Sequence, residues 1–156
     1  MRTDADPATS DGTDADDIAA LAAHLRVTIT RLARQLRRQG DTGLTPTLMS
    51  ALTSIDRHGP LTLGALAERE GVAPPSITRV VGKLEQAGLV ERSADPADGR
   101  VTLVIATAAG RELLARTRQR KDVWLATRLA ELGTGDRRRL AGALDALDRL
   151  VGRDRL

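Results

Sequence analysis

The chain has no cysteine, no phenylalanine and no tyrosine, and Trp124 is its one tryptophan. Only Lys83 and Lys121 are lysines among 24 basic residues. The first absence removes disulfides, thiol redox sensing and cysteine-held zinc. With a single aromatic, a core must be built from Leu, Val, Ile and Ala, which suits packed helices better than a β-sandwich. No apolar run approaches the roughly 18 residues of a membrane span, and residues 1–20 lack the apolar segment of a secretory signal. A cytoplasmic protein with no membrane association is therefore expected. No nucleophile–base pair, phosphate-binding glycine loop or carboxylate pair stands out, so nothing argues for an enzyme or a cofactor. His24 and His58 lie far apart, without a carboxylate cluster of ligand spacing around either, and read as surface or capping residues rather than metal ligands.

The charge present is unevenly spread. The chain totals +3, yet residues 1–17 hold six Asp against Arg2, or −5, leaving +8 on the remainder. Such a body attracts a polyanion, and phosphate contacts dominate sequence-independent affinity for nucleic acid. Residues 1–15 are acidic, rich in small side chains and aperiodic, which predicts a disordered tail. Asp16-Asp17 then suits a helix start. Ile18, Leu21, Leu25, Ile29, Leu32 and Leu36 follow at spacings of three and four, a coiled-coil-like seam closed by Gly40.

Thr45-Pro46 combines a side-chain cap with proline at the first helical position, and Leu48, Leu52 and Ile55 form the buried face of that helix, which ends near His58-Gly59. The most informative stretch is Leu61 to Ile105. Leu63, Leu66 and Ala67 predict a short helix, with Gly71 turning the chain and Val72 plugging the turn. Pro74 and Pro75 open a second helix, in which Ile77, Val80, Val81 and Leu84 make an apolar stripe. Ser76, Arg79, Lys83 and Gln86 share another, polar face, and Gly88 ends the helix. That is a helix-turn-helix, whose second helix fits a DNA major groove.

Leu89–Ser93 and Val101–Ile105 read as two strands around the turn-rich loop Asp95 to Arg100. Val101, Leu103 and Ile105 are expected to form the apolar face. A guanidinium at the loop tip suits a narrow, A·T-rich minor groove. Beyond this wing, Thr107 caps a long helix reaching Leu132, whose middle, Arg116–Asp122, is polar enough to be expected outside the globular body. Gly133 breaks it, and Leu140, Leu144, Leu147 and Val151 mark a last helix from about Asp136.

These residues carry a resemblance. The segment GALAEREGVAPPSITRVVGKLEQAGLVERSADPADGR resembles the DNA-binding core of the MarR family of bacterial winged-helix regulators. The match is an ordered series: Pro-Ser-x-x-Arg in the recognition helix, Leu-Glu-x-x-Gly-Leu-Val after it, and Asp-Pro-x-Asp-x-Arg in the wing. Two positions depart from the pattern. Glu70 stands where an apolar residue is commoner, and Ala73 replaces the usual side-chain cap, a loss worth about 1 kcal/mol.

The resulting fold class is mainly α with a small β-hairpin wing. It divides into a tail (1–15) and a single MarR-like domain (16–156), with the winged helix-turn-helix at about 45–106 and dimerisation helices at about 16–39 and 107–152. A winged helix of about 60 residues cannot cover every apolar stripe, which argues for a dimer. The resemblance adds that terminal helices interlock around a two-fold axis. Pro75, Ser76, Thr78, Arg79 and Lys83 are the candidate DNA contacts of the recognition helix. Arg79 suits guanine readout and Lys83 a phosphate. The family adds Arg100 in the minor groove, Asp98 bracing the wing, and Thr45 near the DNA backbone. Arg92 reads as a backbone contact or a solubilising charge. Trp124 reads as a packing anchor at the dimer seam, or alternatively as part of a pocket for a small molecule. The family's effectors are often small aromatic acids. The expected function is a ligand-responsive, homodimeric repressor on palindromic double-stranded DNA. The competing readings are a protein-interaction module and a non-specific nucleoid protein.

Overall fold

The computed structural model describes residues 10–152, with side chains from residue 14 onward. Residues 1–9 of the expected tail lie outside the described residues. The chain divides into two units, one ending at Gln39 and one from Gly40 onward. The first is α1 (Ser10–Gln39). This helix starts six residues before Asp16, so positions 10–15 are helical rather than tail. No proline lies between Ser10 and Asp16 to stop the helix extending backward. Along α1, Ile18, Leu21, Ile29 and Leu32 are exposed, whereas Leu25 and Leu36 are half-buried.

The second unit runs α2 (Pro46–His58), β1 (Leu61–Thr62), α3 (Leu63–Glu70), α4 (Pro74–Gln86), β2 (Val90–Ala94), β3 (Thr102–Ala106), α5 (Ala108–Ala130) and α6 (Thr134–Val151). Its core joins Leu52 and Ile55 of α2, Leu66 of α3, Ile77, Val81 and Leu84 of α4, and Val104 of β3. Each helix contributes the stripe its sequence period marks. Caps fix where they begin. Thr45 Oγ1 accepts from Leu48 N, and Thr62 Oγ1 accepts from Ala65 N at 3.1 Å to start α3, a cap the apolar pattern did not announce. Glu70, half-buried at the end of α3, takes the Ser54 hydroxyl of α2. The polar departure at position 70 is thus a clamp between two core helices.

The sheet has three strands in the order β1-β3-β2, all antiparallel. The extra strand is β1, whose Leu61 pairs with Val104 and Thr62 with Leu103. The buried face is also the opposite of the expected one. Val104 and Ala106 enter the core, while Val101, Leu103 and Ile105 are half-buried. Both parities of β3 are apolar, and the helices α2 and α4 can cover only one side of the sheet.

The middle of α5 does not leave the body entirely. Thr117 is buried and donates its hydroxyl to Leu113 O at 2.7 Å, and Lys121 is half-buried beside it. At the far end, Arg137 of α6 turns its guanidinium onto the carbonyls of Leu129, Ala130 and Leu132, closing α5. Leu140, Leu144 and Val151 of α6 remain exposed.

Three chain segments meet where α5 begins. Thr107 N–H donates to Leu89 O at 3.0 Å, and its hydroxyl donates to Gly88 O at 2.7 Å. That hydroxyl oxygen also accepts from Gly110 N at 3.1 Å. A Cβ on Gly110 would collide with the Leu89 carbonyl. Gly110→Ala should therefore destabilise the protein by about 1–3 kcal/mol through forced displacement of a backbone. Thermal unfolding should show a melting temperature lowered by several degrees, and an unchanged midpoint would refute the close approach.

Candidate nucleic-acid interface

Helix α4 is held by one side and open on the other. Ile77, Val81 and Leu84 are buried, Val80 is half-buried, and Ser76, Thr78, Arg79, Lys83 and Gln86 are exposed. The helix starts without a side-chain cap. Ala73 makes no capping hydrogen bond, and Pro74 occupies the first position. The missing cap leaves no open amide, because Pro74 and Pro75 have no N–H and the Ser76 N–H donates to Ala73 O at 2.9 Å. Thr78 spends its hydroxyl proton on Pro74 O at 3.0 Å, which leaves its oxygen an acceptor toward solvent. Among the described residues, neither Arg79 nor Lys83 belongs to an ion pair. At the other end Gly88, with φ +70°, and Leu89, whose N–H donates to Leu84 O, turn the chain into β2.

The wing is ordered by its own aspartates. Asp95 accepts from Ala97 N at 2.8 Å. Asp98 accepts from Arg100 three times, through the backbone N–H at 3.0 Å, Nε at 3.1 Å and Nη2 at 3.4 Å. The Arg100 side chain is nevertheless 91% exposed, so its guanidinium is aimed but not covered. Those bonds, the side-chain ones first and the backbone one second, hold the Asp98 carboxyl below its ordinary range. One further brace departs from the expected role of Arg92. Arg92 Nε on β2 pairs with Glu85 on α4 at 3.2 Å, tying the wing to the recognition helix. Its signal was present as an acid in the last turn of the helix and an arginine seven residues on, in the next strand.

Thr45 is exposed at the start of α2, where it caps that helix. Trp124 is half-buried, with the Arg128 guanidinium carbon 5.8 Å from its ring centroid. It does not line the cavity found between α2 and α5. That cavity, of about 220 Å³, is bounded by Met49, Thr53, Asp56, Arg57, Leu114, Thr117, Arg118 and Lys121. Three cations against one carboxylate make its wall net positive. No sequence argument singled these residues out, because two helices contribute them and neither set is distinctive alone.

A helix-turn-helix with an exposed basic second helix, followed by an antiparallel hairpin tipped with arginine, defines a winged-helix DNA-binding protein. The sequence profile of the MarR family matches residues 44–102. An uncharacterized HTH-type transcriptional regulator of Mycobacterium bovis is 42% identical over 137 residues, covering 87% of this chain and 96% of its own. The chain belongs to the MarR family and is a DNA-binding transcriptional regulator. A solved transcriptional regulator of Pseudomonas aeruginosa superposes with a TM-score of 0.78 at 33% identity, over 88% of this chain and 98% of that one. A mutant of Staphylococcus aureus MepR, solved bound to an oligodeoxyribonucleotide, shares the fold with a TM-score of 0.68 at 16% identity, over 84% of this chain and 97% of its own. No described helix is long and apolar enough to cross a membrane.

The Asp98 shift has a definite sign. A carboxyl with a lowered folded value keeps its brace at every pH above the ordinary value and loses it as pH falls through the lowered one. The Asp98 carboxyl carbon, followed by NMR, should therefore titrate below 3.8. Arg100→Ala should move that titration upward. If wild type and Arg100→Ala titrate alike, Arg100 is not what holds the wing.

Proposed function

We propose that this regulator acts as a homodimer that binds a palindromic operator and represses transcription by occluding a promoter. The observation that carries this reading is the pairing of two unlike basic elements on one body. The exposed face of α4 presents Pro75, Ser76, Thr78, Arg79 and Lys83, and the Asp98-braced wing presents Arg100. Arg79 takes the base-edge role, since a guanidinium reads guanine bidentately. Lys83 and the Thr45 end of α2 take phosphates. Arg100 reads the potential of a narrow minor groove. MepR, a relative in fold, binds DNA as its solved complex states, which supports assigning DNA to this surface.

The dimer follows from apolar surface that has no cover. Ile18 and Leu21 on α1 and Leu144 and Val151 on α6 are all more than half exposed. A second copy burying these stripes sets two recognition helices about one DNA turn apart, roughly 34 Å. The cationic cavity between α2 and α5 suits release by a small organic acid. Arg57, Arg118 and Lys121, rather than Trp124, are its recognition groups. Trp124 is assigned to packing.

Selection from a pool of randomised duplexes, read for wild type, Arg79→Ala and Arg100→Ala, tests the roles. Arg79→Ala should cost about 1–3 kcal/mol per half-site and relax preference at one base pair. Arg100→Ala should weaken binding, lower its salt dependence and blunt preference for flanking A·T pairs. Uniform weakening of all sequences by Arg79→Ala would make that residue a phosphate contact.

The dimer has its own test. The double variant Leu25→Asp, Leu32→Asp should sediment as a monomer and bind operator far more weakly, because the two half-sites are no longer linked. A wild-type monomer at micromolar concentration would end the proposal.

A further inference from the structure

We infer that Gly82 is the point at which the recognition helix comes closest to the bases, an inference that rests on α4 being the DNA-reading helix. Gly82 lies inside α4, where glycine is the least favourable residue other than proline. A helical glycine is commonly retained because its backbone needs a positive φ or because another part of the fold crowds it. Neither holds at position 82. Its φ is not positive, and a Cβ added there would meet nothing within 4 Å beyond its chain neighbours and the backbone of its own helix. Gly110 is the contrasting case, since a Cβ there would strike the Leu89 carbonyl.

The position of Gly82 on the helix supplies the missing reason. The buried side is set by Ile77, Val81 and Leu84. Thr78 and Arg79, one turn before Gly82, and Gln86, one turn after it, are exposed. At 100° per residue, Gly82 falls among them on the face turned away from the core. The polar face therefore carries exposed side chains around a half-buried stretch of backbone that has no side chain of its own. Such a notch admits a surface that approaches the helix axis more closely than any side chain would allow. In a major groove that surface is the edge of a base pair, and the Cα hydrogens of the half-buried Gly82 match the C5-methyl group of thymine. Arg79 and Gln86 then reach base edges to either side, while Gly82 sets how deeply the helix sits.

The fold and the interface make opposite demands on this residue, and that conflict is measurable. The operator is the duplex selected by wild-type protein from a random pool. Gly82→Ala should raise the melting temperature by about 2–4 °C, as expected for removing a helix-interior glycine from a chain of this length. The same variant should bind the operator about tenfold more weakly, comparable to one spoiled base-pair contact. Gly82→Gln should bind more weakly still. The dependence of affinity on salt should stay at the wild-type slope, because no phosphate contact is removed. Gly142→Ala on α6, where a Cβ is equally unobstructed, should raise the melting temperature without altering operator affinity.

Stabilisation combined with graded loss of binding supports the inference. If Gly82→Ala is stabilised and binds as tightly as wild type while Arg79→Ala binds weakly, the helix reads DNA but Gly82 does not set its depth. If Arg79→Ala also binds at wild-type strength, α4 is not the reading helix, and the proposed function falls together with this inference.

Discussion

The structure depends on one crowded junction, where the end of the recognition helix, the start of the wing and the start of α5 share a few atoms. Gly88 turns the chain, and its carbonyl takes the Thr107 hydroxyl. The Leu89 carbonyl takes the Thr107 amide and lies against the bare Cα of Gly110. One threonine therefore bonds to both sides of the junction and caps a helix of 23 residues. Because backbone packs on backbone here, α4 and α5 have little freedom to shift independently. A change in the direction of α5 moves the end of the recognition helix with it. That coupling is the mechanical requirement for any control of reading exerted through α5.

Charge in this molecule is spent on direction rather than on stability. The ion pairs of the reading unit are all on its surface, where such pairs contribute little to folding. Two of them have positions that explain their presence. Glu85 with Arg92 fixes the wing strand to α4, and Asp98 with Arg100 aims the tip. Each acid holds one arginine by its Nε, and in Arg100 the side chain remains largely open to solvent. The preponderance of arginine fits this use, since a planar guanidinium engages an acid and a second partner together more readily than an ammonium does.

The helix-turn-helix was legible because its signals are local. Pro74-Pro75 and Gly88 bracket an apolar stripe of helical period, and Thr45 and Thr107 are caps recognisable from the residue and its followers. What escaped the sequence depends on partners distant along the chain. Strand β1 is two residues long and exists because Leu103 and Val104 lie beside it. Alternation in β3 could not reveal the buried side, since Leu103 and Ile105 are as apolar as Val104 and Ala106 are. Glu70 read as an anomaly until Ser54, sixteen residues earlier, supplied its donor. Thr117 and Lys121 sat in a polar run whose inward turn depends on α2. Of the interface, the residue types on α4 and the wing were readable; the Glu85–Arg92 brace, the open cavity wall and the exposure of Arg100 required coordinates.

The pairing of Leu61 with Val104 has an evolutionary consequence. The chain enters the DNA-reading segment at β1 and leaves it at β3, and these strands are direct neighbours. Everything between them, turn, recognition helix and wing, is a loop closed at its base by backbone hydrogen bonds. A segment with adjoining ends can be exchanged by recombination without requiring the flanking helices to move. Exchange of this one segment is therefore a route by which a lineage acquires a new target site while keeping its flanking helices.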